Sequence, residues 1–199
     1  MSILFEKLPS AVTVAGAELP INTDYRVMAK FEQRILTTDR GNRALTARIF
    51  TDTLAEFYKQ HIPMDNISEA IDKMWWFYRC GEDVSSKRNQ AGAKNTQRLY
   101  DYDIDGAMIA AAFMDTYHMD IINNSLHWWL FRSYFSELGE NTRLVKIMSF
   151  RGADLHDYKG KQRQFYARMK KKYALPVIHQ TPMTLEERDK MFLERYKGR

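Results

Sequence analysis

The chain has 199 residues, 45% of them hydrophobic and 28% charged, the profile of a soluble globular protein of one domain or two small ones. No apolar run approaches the roughly 20 residues of a membrane span, and the start, MSILFEKLPS, lacks the basic opening and apolar centre of a secretory signal. A single cysteine, Cys80, excludes an internal disulfide and suits a reducing cytoplasm. The net charge of +5 is uneven: residues 141–199 hold fifteen Lys and Arg against six Asp and Glu, or +9, which leaves −4 for the first 140. Such an asymmetry fits contact with nucleic acid or with an acidic protein surface, and equally a solvated helix with a basic outer face.

The first element in chain order is a β-hairpin. Ala11–Val14 is β-prone, Ala15-Gly16-Ala17-Glu18 reads as the turn, and Leu19-Pro20-Ile21 as the returning strand. Asn22 or Thr23 then starts a helix with Val27, Met28, Phe31 and Ile35 at helical spacing, ended by Gly41-Asn42. A second helix carries Phe50, Leu54, Phe57 and Tyr58 and stops before Pro63. Asn66 and Glu69 form a variant capping box. The helix they open aligns Ile67, Ala70, Ile71, Met74, Trp75 and Tyr78, with Trp76 about 100° round from its neighbour Trp75, off the main stripe, and Gly81 as the stop.

Residues 81–99 are polar and contain Gly and Ser, with few large apolar side chains, which predicts a flexible connection between residues 1–80 and 100–199. The segment Asp101–Gly106, DYDIDG, matches the front half of a calcium loop. The twelfth position, where a bidentate carboxylate must close such a loop, is Ala112, so the better reading is a helix cap by Asp103 or Asp105. That helix presents Ile104, Met108, Ile109, Ala112 and Phe113. Asn123-Asn124-Ser125 breaks the chain before a helix whose apolar stripe is too wide for an ordinary surface helix: Trp128, Phe131, Phe135 and Leu138, flanked by Leu126, Trp129, Leu130 and Tyr134. Gly139 ends it, a short helix carries Leu144, Ile147 and Met148 as far as Gly152, and a basic helix spans about 157–173 with Tyr158, Phe165, Tyr166, Met169 and Tyr173 in register. After Pro176 come an extended run, Val177–Pro182, and a second capping box, Thr184 with Glu187. The fold class is therefore mainly α, a multi-helix protein with a small N-terminal β-hairpin.

Motifs of catalysis are missing. The five histidines have no metal-binding spacing, and there is no nucleophile elbow, phosphate loop or dinucleotide glycine fingerprint. Cys80 sits at a helix C-terminus, where the dipole disfavours a thiolate, and His118 and His127 read as core-edge residues. No cofactor, metal or catalytic residue is expected. Two surfaces remain as binding candidates. The aromatic excess around Trp76, Trp128, Trp129, Phe131 and the adjoining Arg132 suits a protein partner, a filled core being the competing reading. Lys161, Arg163, Arg168, Lys170, Lys171 and Lys172 suit an acidic partner or, as the alternative function, nucleic acid.

Four blocks resemble a known family: R-L-Y-D-Y-D-I-D-G-A-M-I-A-A-A-F from Arg98, L-H-W-W-L-F-R from Leu126, K-I-M-S-F-R from Lys146, and F-Y-A-R-M-K-K-K-Y-A-L-P from Phe165. With the opening hairpin and I-N-T-D-Y-R, the chain is similar to the Gp15-like family of tailed bacteriophages and prophages of Gram-positive bacteria, encoded just before the tape measure protein. By that genome position the resemblance implies a tail assembly chaperone. It would hold the tape measure soluble, in several copies, until tail tube subunits polymerise around it. It would act in the host bacterial cytoplasm, absent from the finished virion, and without catalytic residues.

Overall fold

The computed structural model describes residues 4–39, 42–82 and 97–177. Most of the polar connection and all of the second capping box therefore lie outside the described residues. Two compact units emerge. The first comprises the described residues up to 82 together with Leu126–Phe131; the second comprises 97–125 and 132–177. The division into 1–80 and 100–199 puts Leu126–Phe131 with the C-terminal half, whereas this segment belongs to the first unit.

The first unit opens with the antiparallel hairpin β1 (Ala11–Val14) and β2 (Ala17–Pro20), paired Val12 to Leu19 and Thr13 to Glu18. Its loop is two residues, Ala15 and Gly16, both at positive φ (50° and 77°), the backbone that matches the strands' own twist. The turn is therefore tighter than the sequence suggests, and β2 begins two residues earlier. Helix α1 (Tyr25–Thr37) starts at Asp24, whose carboxylate accepts the Arg26 N–H, and not at Asn22 or Thr23. Asn22 instead accepts the Asp24 N–H, and the Thr23 carbonyl takes the Trp128 N–H at 2.8 Å. Helix α2 (Arg43–Phe57) is capped by the Asn42 side chain.

A 3-10 turn, Met64–Asn66, precedes α3 (Ile67–Tyr78). The Asn66 N–H is already bonded to the Pro63 carbonyl, and the residue sits at φ −103°, ψ 2°, outside the extended region a cap requires. The expected capping box therefore does not form. Glu69 turns away and accepts the Ala15 N–H at 2.9 Å, tying α3 to the hairpin loop. Cys80 and Gly81 end the helix at positive φ.

The core of this unit is aromatic. Phe31 meets Phe50, Trp75 and Tyr78 edge-on at 5.1–5.7 Å between centroids, the quadrupole-favoured arrangement. Phe77, a residue the helical stripe omits, is fully buried against Phe57.

The second unit is helical: α4 (Gly106–Tyr117), the end of α5 (Trp128–Ser136), α6 (Arg143–Gly152) and α7 (Gly160–Lys172). Ile109, Phe113, Leu138, Leu144 and Ile147 form its apolar centre. Helix α6 ends at Gly152, where the sequence places its stop, and α7 begins only at Gly160, after a 3-10 turn at Leu155–Asp157. Phe150 gathers Phe165, Tyr166 and Tyr173 of the α7 segment at about 6 Å.

Candidate functional site

Leu126–Phe131 is the segment that completes the first unit. The Tyr25 N–H donates to the Leu126 carbonyl, and Asp24 and His127 form an isolated antiparallel bridge. Trp128 then stacks between Tyr78 (5.8 Å) and Phe131 (5.9 Å), and Phe131 stacks on Tyr25 at 4.4 Å. Both indole N–H groups find backbone acceptors on α3: Trp128 the Tyr78 carbonyl at 2.9 Å, Trp129 the Phe77 carbonyl at 2.8 Å. Trp128, Trp129 and Phe131 are 0%, 3% and 1% exposed. The expectation that these three present aromatic surface to a partner is corrected: they fill the core, with their polar atoms paired inside it. Arg132 is half-buried, and so is Trp76, which packs edge-on to Trp129 at 5.4 Å.

His127 caps the start of α5. Its Nδ1 accepts the Trp129 N–H, so Nε2 carries the proton and donates to the Pro9 carbonyl at 3.0 Å. Burial pushes its pKa below the ordinary histidine value, the Pro9 bond opposing in part. The unfolded chain therefore binds the extra proton more readily than the folded one. Stability present above about pH 6.5, the unfolded value, is lost as the pH falls through that value towards the lower folded one. His127→Asn, which keeps an acceptor for Trp129 and cannot titrate, is expected to remove this acid-side loss. Melting temperatures of wild type and variant on both sides of pH 6.5 check it.

Trp76 lines a groove of about 510 Å³ between the hairpin and α3. Glu69, Asp72, Lys73 and Trp76 share one face of α3 by their spacing, and Val12, Thr13 and Glu18 supply the facing wall. Three carboxylates and one ammonium make the rim net negative, around an aromatic floor. Partial burial raises the Asp72 pKa above its ordinary value, opposed by Arg79 and reinforced by Glu69. The sequence shows the α3 half of this site in the i, i+3, i+7 spacing of Glu69, Asp72 and Trp76. The hairpin half has no local signal.

In the second unit, DYDIDG is a structural turn. Asp101 accepts the N–H groups of Asp103 and Ile104 and faces Arg98 at 3.1 Å. Asp105 occupies the cap position of α4 but makes no capping bond, because its fully buried carboxylate is taken by Arg151 and by the Asp101 N–H. Arg151 also donates to the Leu99 carbonyl at 2.8 Å and the Tyr173 carbonyl at 2.7 Å. One guanidinium thus fastens the start of α4, the chain entering it and the end of α7, and it joins three of the blocks singled out in the sequence. Among the described residues no three His, Cys, Asp or Glu side chains converge as metal ligands, and no helix is long and apolar enough to cross a membrane.

Helix α7 buries no residue completely. Lys161, Arg163, Arg168, Lys171 and Lys172 are exposed, while Lys170 is half-buried and donates to the Ala153 carbonyl that ends α6. Lys170 therefore belongs to the helix packing more than to the basic surface. Phe165, placed in register with Tyr166 and Tyr173 by its spacing, is 42% exposed, with the Arg168 guanidinium over its ring.

No curated protein and no solved structure gives a significant match to the chain. A family model described as Bacteriophage Gp15 protein matches residues 4–175, which takes in every element of both units. The chain belongs to the bacteriophage Gp15 protein family.

Proposed function

We propose that this bacteriophage protein is a tail assembly chaperone, which binds the tape measure protein and keeps it soluble until tail tube subunits polymerise around it. Family membership over residues 4–175 carries the reading, since the family's genes stand before that of the tape measure. The Trp76 groove supports it with a suitable surface: an aromatic floor for apolar turns of a long helix, and a charged rim that keeps the empty site wetted. In this reading several copies bind along the client, each weakly, and tube subunits displace them through larger buried interfaces. The protein acts in the host cytoplasm, leaves no trace in the mature virion, and breaks no bond.

The test is co-expression with the tape measure protein, scored by its soluble fraction. Wild type is expected to retain it in solution. Trp76→Ala, at a half-buried position, is expected to remain folded and lose that effect. A tape measure that precipitates equally with and without the chain would end the proposal. The five exposed cations of α7 favour nucleic-acid binding as the second reading. Its aromatics, however, contact one another and Phe150, which leaves fewer faces for bases to stack on. Binding to generic DNA that weakens steeply with salt would support this reading, and no binding at about 50 mM salt would remove it.

A further inference from the structure

The Trp76 groove and α7 carry opposite charge and matching apolar centres. Around the groove Glu18, Glu69 and Asp72 outnumber Lys73. On α7, Lys161, Phe165, Arg168 and Lys172 fall at i, i+4, i+7 and i+11, within about 60° of arc, and all four are exposed. Each surface thus presents one aromatic ring among charges of a single predominant sign. The Arg168 guanidinium lies over Phe165, which keeps the cation beside the ring that would meet Trp76. No other helix among the described residues combines an exposed aromatic with three cations on one face.

We propose that, when no client is bound, the α7 face of one copy docks in the Trp76 groove of another. A chaperone with an empty aromatic groove exposes the same surface that makes its client aggregate, and a second copy supplies a cover of the right chemistry. The contact is heterologous, groove to helix, so the copy that lends its helix keeps an open groove and the copy that lends its groove keeps a free helix, each able to take a further copy. Rim ion pairs of this exposure are individually weak and screened by salt. The cover therefore comes off readily, and a client with a larger apolar face takes its place. That last, regulatory step rests on the client-binding reading; the self-docking does not.

Sedimentation velocity of the full chain, without client, tests it over a concentration series at low and high salt. Reversible association that weakens about tenfold or more at high salt is expected. Glu18→Lys with Asp72→Lys in one variant, and Arg168→Glu with Lys172→Glu in another, change exposed side chains only; circular dichroism verifies that both fold. Each variant alone should lose association by about tenfold or more, and an equimolar mixture of the two should regain it, because the reversed groove then faces a reversed helix. A wild type that stays monomeric at every concentration overturns the proposal. So does association that survives either pair of reversals, which would put the contact elsewhere, or a mixture that fails to regain it. If the copies associate as described while the tape measure still precipitates in co-expression, the self-docking stands and the chaperone reading falls. If the tape measure stays soluble beside a strictly monomeric chain, the chaperone reading stands and the self-docking falls.

Discussion

Arg151→Ala is expected to destabilise the protein by about 3–5 kcal/mol, the loss typical of removing one partner from a buried ion pair. Asp105 is fully buried. Without the guanidinium its carboxylate stays in a low-dielectric interior with only the Asp101 N–H to satisfy it. The carbonyls of Leu99 and Tyr173 lose their donor at the same time, so the entry to α4 and the exit of α7 are released together. Arg151→Lys should recover only a part, because an ammonium is a point charge and does not span two carboxylate oxygens and two separate carbonyls. The informative control removes both charges: Asp105→Leu with Arg151→Met should be more stable than Arg151→Ala alone, since the orphaned charge is what costs most. Urea unfolding, read as a shift of midpoint at constant slope, measures all three. A double variant no more stable than the single one would show that shape, not charge, makes this contact matter.

The legibility of the fold follows from how local each signal is. Helix periodicity places α1, α2 and α3 because Val27, Met28, Phe31 and Ile35, or Ala70, Ile71, Met74 and Trp75, recur within a few turns of one another and are all buried. The hairpin is legible as a hairpin, but its register is not, since nothing in the sequence forces Ala15 into a positive φ. Capping chemistry fails where a distant partner competes. Glu69 serves a loop 54 residues away, and Asp105 serves an arginine 46 residues away, so neither is free for the helix start beside it. The Leu126–Phe131 block shows the same limit at larger scale. Its width announces an important helix, but whether a partner or the protein's own α3 covers it depends on contacts about 50 residues distant. The groove is split in the same way: α3 shows its half as a spacing pattern, while Glu18 joins only through the folding of the hairpin.

Trp129→Ala should cost about 3–5 kcal/mol, the range for emptying a buried aromatic site. The indole is 3% exposed and contacts Trp76 and Phe77, and its N–H is held by the Phe77 carbonyl. Truncation would therefore leave a void and remove one donor from the Phe77 carbonyl, which keeps the Cys80 N–H at 3.0 Å. The site has little room to collapse, because the ring edge sits against the backbone at Gly81. A Cβ there would come within 2.9 Å of Trp129 Cη2, and the glycine is fixed at φ +77°. Trp129→Phe, which keeps part of the volume and loses the N–H, should fall between wild type and Trp129→Ala. Trp76→Ala should cost less than Trp129→Ala, because its ring already meets solvent and leaves a smaller void. Denaturant midpoints for the three variants, set beside their ability to keep the tape measure soluble, separate support of the fold from contact with the client. The core assignment requires stability and solubilisation to fall together in Trp129→Ala, and solubilisation to fall nearly alone in Trp76→Ala. A Trp129→Ala protein that melts like wild type yet no longer solubilises the client would place that indole on the working surface and reverse the two roles.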